Sequence, residues 1–337
     1  MIEATGLTRY YGDFAALQDA SFTIEDQEIV GFLGLNGAGK STALKIIAGL
    51  LLPSAGTVKV GGIDAIERPD ALRRKIGFLP EEPPLYREMR VRDFLQWCGE
   101  VKGQSRAQVR KALPQVLEIC DLTHMAERVI GTLSHGYKKR VGIAQAIIHR
   151  PEVVILDEPI SGLDPQQIVE MRQVVRSLKE HATVLISSHI LTEVELTCDR
   201  VLVIHRGHLV GEGSGEDLGG REGHERHLAL VVRGDEDTLR RALDGAEYVE
   251  HFEVEVDGEQ LRADVVLTGD HREALARTLM EAKLGLWQLA EARSRLEQIF
   301  LRLISGQEPE PEPKPEPEPE PKPEPEPEPE PQSEVDA

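Results

Sequence analysis

The sequence predicts an α/β protein built on a largely parallel sheet, followed by a smaller α+β domain. Three observations carry this reading. VVILD (153–157) and TVLISS (183–188) carry their apolar residues in continuous runs rather than at alternate positions, as expected of parallel strands covered on both faces. The apolar run EIVGFLG (28–34) stops at glycine, and a helical pattern follows in STALKIIAGL, with apolar residues at 44, 47, 48 and 51. Beyond residue 223 the pattern changes to the order β-α-β-β-α-β, that of a ferredoxin-like unit.

Taken in order, residues 1–33 read as short strands, and TVKV (57–60) and IGFLP (76–80) as further ones. Residues 91–149 are mostly helical by pattern, through VRDFLQWCGEV, AQVRKALPQVLEICDL and SHGYKKRVGIAQAIIHR. Strands return as VVILD, TVLISS and RVLVIH (200–205), with helices between them. The first domain therefore spans 1–215, with a helical subdomain at about 91–149. GEGSGEDLGGREG is glycine-rich and polar, which places a linker at 216–225. The accessory domain, 226–306, runs from strand HLALVVR through helix DTLRRAL, strands EYVEHFEVEV and QLRADVVLT, helix REALARTLMEA and a short strand near GLWQLA to helix SRLEQIFLRLI. Residues 308–331 alternate proline with glutamate or lysine and cannot bury a core, so 307–337 are expected to form a disordered tail.

The formal net charge is −20, and residues 307–337 hold 12 acidic and 2 basic side chains, so the tail carries −10 and the body the other −10. A mildly acidic body argues against nucleic acid as a partner, because phosphate contacts need clustered Lys and Arg. Cys98, Cys120 and Cys198 match no zinc spacing or disulfide framework and read as buried or idle thiols in a reducing cytosol. MIEATGLTRYYG lacks the regions of a signal peptide, and the longest apolar runs, such as IIAGLLL (46–52), fall short of the ~20 residues that span a bilayer. The expected chain is soluble and reaches a membrane only through a partner.

GLNGAGKST (34–42) fits the phosphate-loop pattern and lies between strand and helix, as such a loop must. Gly34, Gly37 and Gly39 let the backbone around Leu35, Asn36 and Ala38 curl so that its N–H groups face phosphate oxygens. The positive end of the helix opening at Lys40, Ser41 and Thr42 adds to that field. Lys40 suits the β- and γ-phosphates of ATP, and the Ser41 hydroxyl suits Mg²⁺. A chance match in a chain of this length is on the order of one in a hundred. VVILDE then delivers Asp157 to a strand end, where it can hold the magnesium, with Glu158 beside it as a base toward the attacking water.

LSHGY (133–137) sets a serine beside a histidine, but adjacent helical residues point about 100° apart, so Ser134 and His135 do not face each other as nucleophile and base. With the two motifs above, the stretch resembles the signature of the ATP-binding subunits of ABC transporters, and the resemblance covers roughly residues 1–215. It implies a P-loop cassette in which LSHGY stands for LSGGQ, SGLD (161–164) for the D-loop with Asp164, and ISSH (186–189) for the switch region with His189 as switch histidine. Tyr11 matches the aromatic that stacks on adenine, with Tyr10 as the alternative. Glu81, in LPEEPPLY, stands where the family usually has a glutamine at the metal. LPEEPPLY together with LSHGY most resembles the subgroup serving type-two exporters, including gliding-motility ATPases.

Ser134 then reads as the N-cap of a helix whose inner face is Tyr137, Val141, Ala144 and Ile148, and its hydroxyl with the Gly136 N–H makes a second anion site. By the resemblance that site closes on the γ-phosphate of a second ATP-binding subunit, a homodimer being expected, and His135 stays a surface or interface residue. The implied protein hydrolyses ATP with Mg²⁺ to drive a separate polytopic permease, and lies on the cytoplasmic face of the cell membrane through it. The rivals are a soluble ABC ATPase acting on ribosomes or nucleic acid, which usually carries two cassettes or a long coiled coil, and a small-molecule kinase, which would leave LSHGY, SGLD and His189 without purpose.

Overall fold

A computed structural model describes residues 1–214, 226–257 and 260–291 of the chain. The first two strands, β1 (Ile2–Tyr11) and β2 (Phe14–Ile24), are ten and eleven residues long rather than short, because the turn at Gly12–Asp13 pairs Tyr11 directly with Phe14 and the ladder runs back to Ile2 and Ile24. Next come β3 (Ile29–Leu33), helix α1 (Lys40–Ile47), β4 (Ala55–Val60) and β5 (Ile63–Asp64). Strands β1, β2, β4 and β5 form an antiparallel sheet of order β2-β1-β4-β5.

The second sheet is the parallel one. It contains β3 and, after α2 (Pro69–Lys75), β6 (Ile76–Leu79), β7 (Val153–Leu156), β8 (Thr183–Ser188), β9 (Arg200–His205) and β10 (His208–Ser214), in the order β10-β9-β3-β8-β7-β6. Only β10, on the edge, runs antiparallel. Every residue of β3, β7 and β8 is buried, which is why their apolar residues come consecutively rather than at alternate positions.

The segment between β6 and β7 supplies the helical subdomain: α3 (Val91–Val101), α4 (Arg106–Ile119) and α5 (His135–Ile147). Ser105 opens α4 with a reciprocal capping box to Gln108. Phe94, Val109, Val116, Val141 and Ile143 pack in one core with Leu79, Val154 and Leu156 of the sheet. The inner face expected for α5 is too narrow. Val141, Ala144 and Ile148 are buried and Tyr137 partly so, but Gly136, Lys139, Arg140, Gly142, Ile143, Ala146 and Ile147 are buried as well, because the helix is enclosed by sheet and helices together. Helices α6 (Pro165–Leu178) and α7 (Leu191–Glu195) complete this part. All three cysteines are buried free thiols, and burial pushes the Cys98 thiol up to about 12.

The later residues form the expected β-α-β-β-α-β unit: β11 (Arg226–Arg233), α8 (Glu236–Asp244), β12 (Val249–Asp257), β13 (Gln260–Leu267), α9 (Arg272–Glu281) and β14 (Gly285–Glu291), with sheet order β12-β13-β11-β14. Leu228, Leu230, Leu239, Val265 and Leu275 lie in its separate core. The expected linker, the helix SRLEQIFLRLI and the tail lie outside the described residues.

Two stability predictions follow from the junction of α5 with β6. A Cβ added at Gly77 would lie 2.1 Å from the Ala146 main-chain oxygen, so Gly77→Ala forces two backbones apart. It should cost about 2 kcal/mol and lower the melting temperature by several degrees. Nearby, His149 lies against the Ile76 carbonyl at 3.2 Å, and burial, then Lys102, pulls its pKa down to about 4. The unfolded chain takes that proton near pH 6.5 and the folded chain only near 4, so the stability is present above pH 6.5 and is lost as pH falls toward 4. With partial exposure the loss is about 1–2 kcal/mol, and His149→Gln should remove that portion of the acid limb in urea titrations at pH 7 and 4.5.

Candidate active site

Parallel pairing brings the C-terminal ends of β3, β7 and β8 to one edge, with Leu33 opposite Ser188 and Leu156 opposite Ile186. The residues that follow these strands therefore meet in one cleft of about 430 Å³. Its floor is the loop from Asn36 to Thr42, and Tyr11, Glu81, Glu158 and His189 line the remainder. Gly39 has φ +113, and a Cβ there would stand 2.4 Å from the Ala16 carbonyl oxygen, so only glycine allows the loop to cross beneath β2. Gly39 also gives α1 no side-chain cap, leaving the first turn's N–H groups to an anion.

Lys40 is 5% exposed, and its ammonium donates to the Gly34 and Leu35 carbonyls at 2.7 and 3.2 Å and lies 3.6 Å from Glu158 Oε1. Burial lowers its pKa, and the Glu158 carboxylate opposes that shift. Glu158 sits just past β7 at φ +49, a left-handed conformation that costs a non-glycine residue of order 1 kcal/mol and turns its carboxylate into the cleft. There its Oε2 is 3.0 Å from His189 Nδ1.

Asp157 lies deeper. Its Oδ1 accepts from Ser41 Oγ at 2.9 Å and from Ser187 Oγ at 2.7 Å, while Ser187 Oγ accepts the Glu158 N–H at 2.8 Å. Ser187, 0% exposed, thus ties the two acidic residues together and was not singled out in the sequence. The available signal was its place in ISSH, at the end of a strand lying beside VVILDE. Phe14 is a second omission. It is 61% exposed and lines the cleft with Tyr11, whose ring lies 5.0 Å from the Arg9 guanidinium carbon, whereas Tyr10 is not in the lining.

Three expected residues stand apart from this cleft. Ser134 is the N-cap of α5, its hydroxyl accepting the Tyr137 N–H at 3.4 Å, and it is exposed. Gly136 packs against Gln167, and the Asp164 carboxylate caps α6 by accepting the Gln167 N–H at 2.9 Å. His135 is exposed, with Nε2 3.4 Å from where a Gly162 Cβ would stand. The stretches LSHGY and SGLD therefore adjoin each other, and of their residues only Ser161 lines the cleft.

Removing the Ser187 hydroxyl leaves the buried Asp157 carboxylate and the Glu158 N–H each short of a partner. Ser187→Ala should lower ATP turnover about 10- to 100-fold with a small change in ATP affinity, measured by steady-state hydrolysis and equilibrium binding.

Residues 17–161 match the family model for the ABC transporter. Over 307 residues the chain is 33% identical to the linearmycin resistance ATP-binding protein LnrL of Bacillus subtilis, covering 90% of this chain and 98% of that protein. It is 32% identical to the bacitracin transport ATP-binding protein BcrA of Bacillus licheniformis, covering 91% and 98%. Among solved structures, the dimeric post-hydrolysis state of the ATP-binding cassette MJ0796, bound to ADP and Pi, aligns with TM-score 0.58 at 26% identity, over 64% of this chain and 99% of that one. Such relatives give no support to a ribosome or nucleic-acid factor, and they support ATP binding and hydrolysis by this chain. The chain belongs to the ATP-binding subunits of ABC transporters and is an ATPase.

Proposed function

We propose that two copies of this chain close head to tail over two ATP molecules, each held by the phosphate loop of one copy and the signature of the other, and that this cycle drives a separate polytopic permease at the cytoplasmic face of the membrane. The observation that carries the reading is the separation within one chain: Lys40, Ser41, Glu158 and His189 share the cleft, while Ser134 and Gly136 are not among the residues that line it. A site lined on one side by a phosphate loop is completed by the anion-binding helix start of a second copy. The relatives named for linearmycin resistance and bacitracin transport support export as the transport direction. Among the described residues no helix is long and apolar enough to cross a membrane, so the proposal assigns passage of the cargo to the permease.

In this reading Tyr11 and Phe14 take the adenine, and Lys40 exchanges the Gly34 and Leu35 carbonyls for the β- and γ-phosphates. The donor set at the metal position is hard oxygen throughout: Ser41 Oγ and Asp157 Oδ1, 2.9 Å apart, with Glu81 on the cleft wall. It suits Mg²⁺, which is held by one or two carboxylates together with substrate phosphates. When bound, Mg²⁺ supplies charge neutralisation at the transferred phosphoryl group. Glu158 accepts the proton of the attacking water, and His189, 3.0 Å from it, holds that carboxylate toward the phosphate. Asp164 and Gln167 support the signature from behind.

Mixing chains carrying Ser134→Arg with chains carrying Lys40→Ala tests the shared site. Each homodimer should lose most hydrolysis, whereas the mixed dimer has one site with both defects and one with none, and should recover up to about half the activity of its wild-type equivalent. Normal hydrolysis by the Ser134→Arg homodimer would sink the reading. Glu158→Gln should bind ATP, fail to hydrolyse it and elute as a dimer in ATP, which separates loss of assembly from loss of chemistry.

A further inference from the structure

Lys139 is a full lysine placed where the fold has room for almost no solvent. It is 2% exposed, on the second turn of α5, and its ammonium donates to two main-chain carbonyls: Glu81 O at 2.5 Å and Glu158 O at 3.0 Å. These residues lie 58 and 19 positions away in sequence, and both side chains line the ATP cleft. The helix that carries Lys139 approaches this loop closely, since a Cβ on Gly142, one turn further on, would meet Leu79 Cδ1 at 2.5 Å and Pro83 Cβ at 3.0 Å. One ammonium therefore joins the start of the signature helix, the loop of Glu81 and the turn of Glu158.

Two neutral donors would satisfy two carbonyls, so hydrogen bonding does not by itself call for a charge. Burying an ammonium without water costs several kcal/mol unless something opposes it. What opposes it here is anionic: burial disfavours the Lys139 charge, while Glu81, Glu158, Asp157 and Glu82 favour it. Two of the four, Glu81 and Glu158, line the cavity that receives the ATP phosphates, and Lys40 is the buried cation on its floor.

We propose that Lys139 is a positioning residue whose charge offsets the carboxylates of Glu81 and Glu158 and lets a glutamate at position 81 stand beside the polyphosphate of ATP. The inference rests on Glu158 as base and Glu81 beside the metal. Lys139 does not itself line the cleft. It acts from behind, through two carbonyls and through the field it sets in the cleft.

The contact with Glu81 is through its main chain, and this makes a charge effect separable from a hydrogen-bond effect. Lys139→Gln keeps an N–H donor and removes the charge; Glu81→Gln removes the carboxylate and leaves the carbonyl. Wild type, both single variants, the double variant and Lys139→Arg are compared by three measurements: ATP hydrolysis, ATP affinity in EDTA, and melting temperature. Lys139→Gln should lower kcat tenfold or more and weaken ATP binding in EDTA at least threefold. In the double variant both should return to within about threefold of Glu81→Gln alone. Lys139→Arg should keep at least a third of wild-type kcat.

Lys139→Gln within twofold of wild type in both kcat and affinity overturns the proposal, and so do costs that simply multiply in the double variant. A melting temperature more than about 5 °C lower in Lys139→Gln, not restored by Glu81→Gln, assigns Lys139 to packing and also overturns it. Glu158→Gln that still hydrolysed ATP would instead refute the assignment of the base, leaving the ATP-affinity comparison in EDTA to judge Lys139.

Discussion

The parallel pairing of β3, β8 and β7 is the constraint on which the rest depends. A parallel strand must return by a crossover, so the chain leaves this edge of the sheet after each strand and comes back to its opposite end. The phosphate loop, the Asp157–Glu158 turn and the Ser188–His189 turn thereby emerge side by side, although the first is more than a hundred residues from the other two. Burial of both sheet faces holds the register, because slipping a strand by one residue moves it against both covering layers at once. The site has no flexible route to assembly. It exists because the sheet does.

Within that frame a small number of buried polar atoms determine which way the acidic groups face. Asp157 is held by two serine hydroxyls, Ser41 from the phosphate loop and Ser187 from β8, so its carboxylate reports on two strands simultaneously. Glu158 is released from the strand by its left-handed backbone and then caught by His189 and Lys40. Lys40 in turn satisfies its charge with carbonyls of its own loop. Each contact uses a group that ATP, magnesium or water engages in the proposed cycle, so the cleft has its donors already oriented, which reduces the reorganisation required during the reaction.

The signature helix has a different role. Its first turn is presented outward, with Ser134 capping and exposed, while from Lys139 onward it is enclosed. Arg140, 3% exposed along its side chain, pairs with Asp121 at 2.6 Å and with Glu170 of α6, which ties the helix to the end of α4 and to α6. A helix anchored along its length and free at its N-terminus keeps its dipole directed at whatever approaches that end.

Much of this was legible in the sequence. The unbroken apolar runs announced the parallel strands, the glycines and lysine of GLNGAGKST announced the phosphate loop, and β-α-β-β-α-β announced the second unit, because each signal is local and its spacing is set by backbone geometry. Ser134 as a cap was equally local. What the sequence left open were relations between segments. Nothing in YYGDF marks Phe14 as a wall of the cleft, since that depends on where β2 crosses the phosphate loop. Ser187 gained its meaning only when β8 lay beside β7. Lys139 was not singled out in the sequence, although its spacing of three and four from Gly142 and Ile143 puts it on a buried face. The chain determined by itself which short stretches bind phosphate, cap helices and form strands; the tertiary structure alone decided which polar atoms share an enclosed space, because burial and hydrogen-bond partnership are properties of neighbours in space and not along the chain.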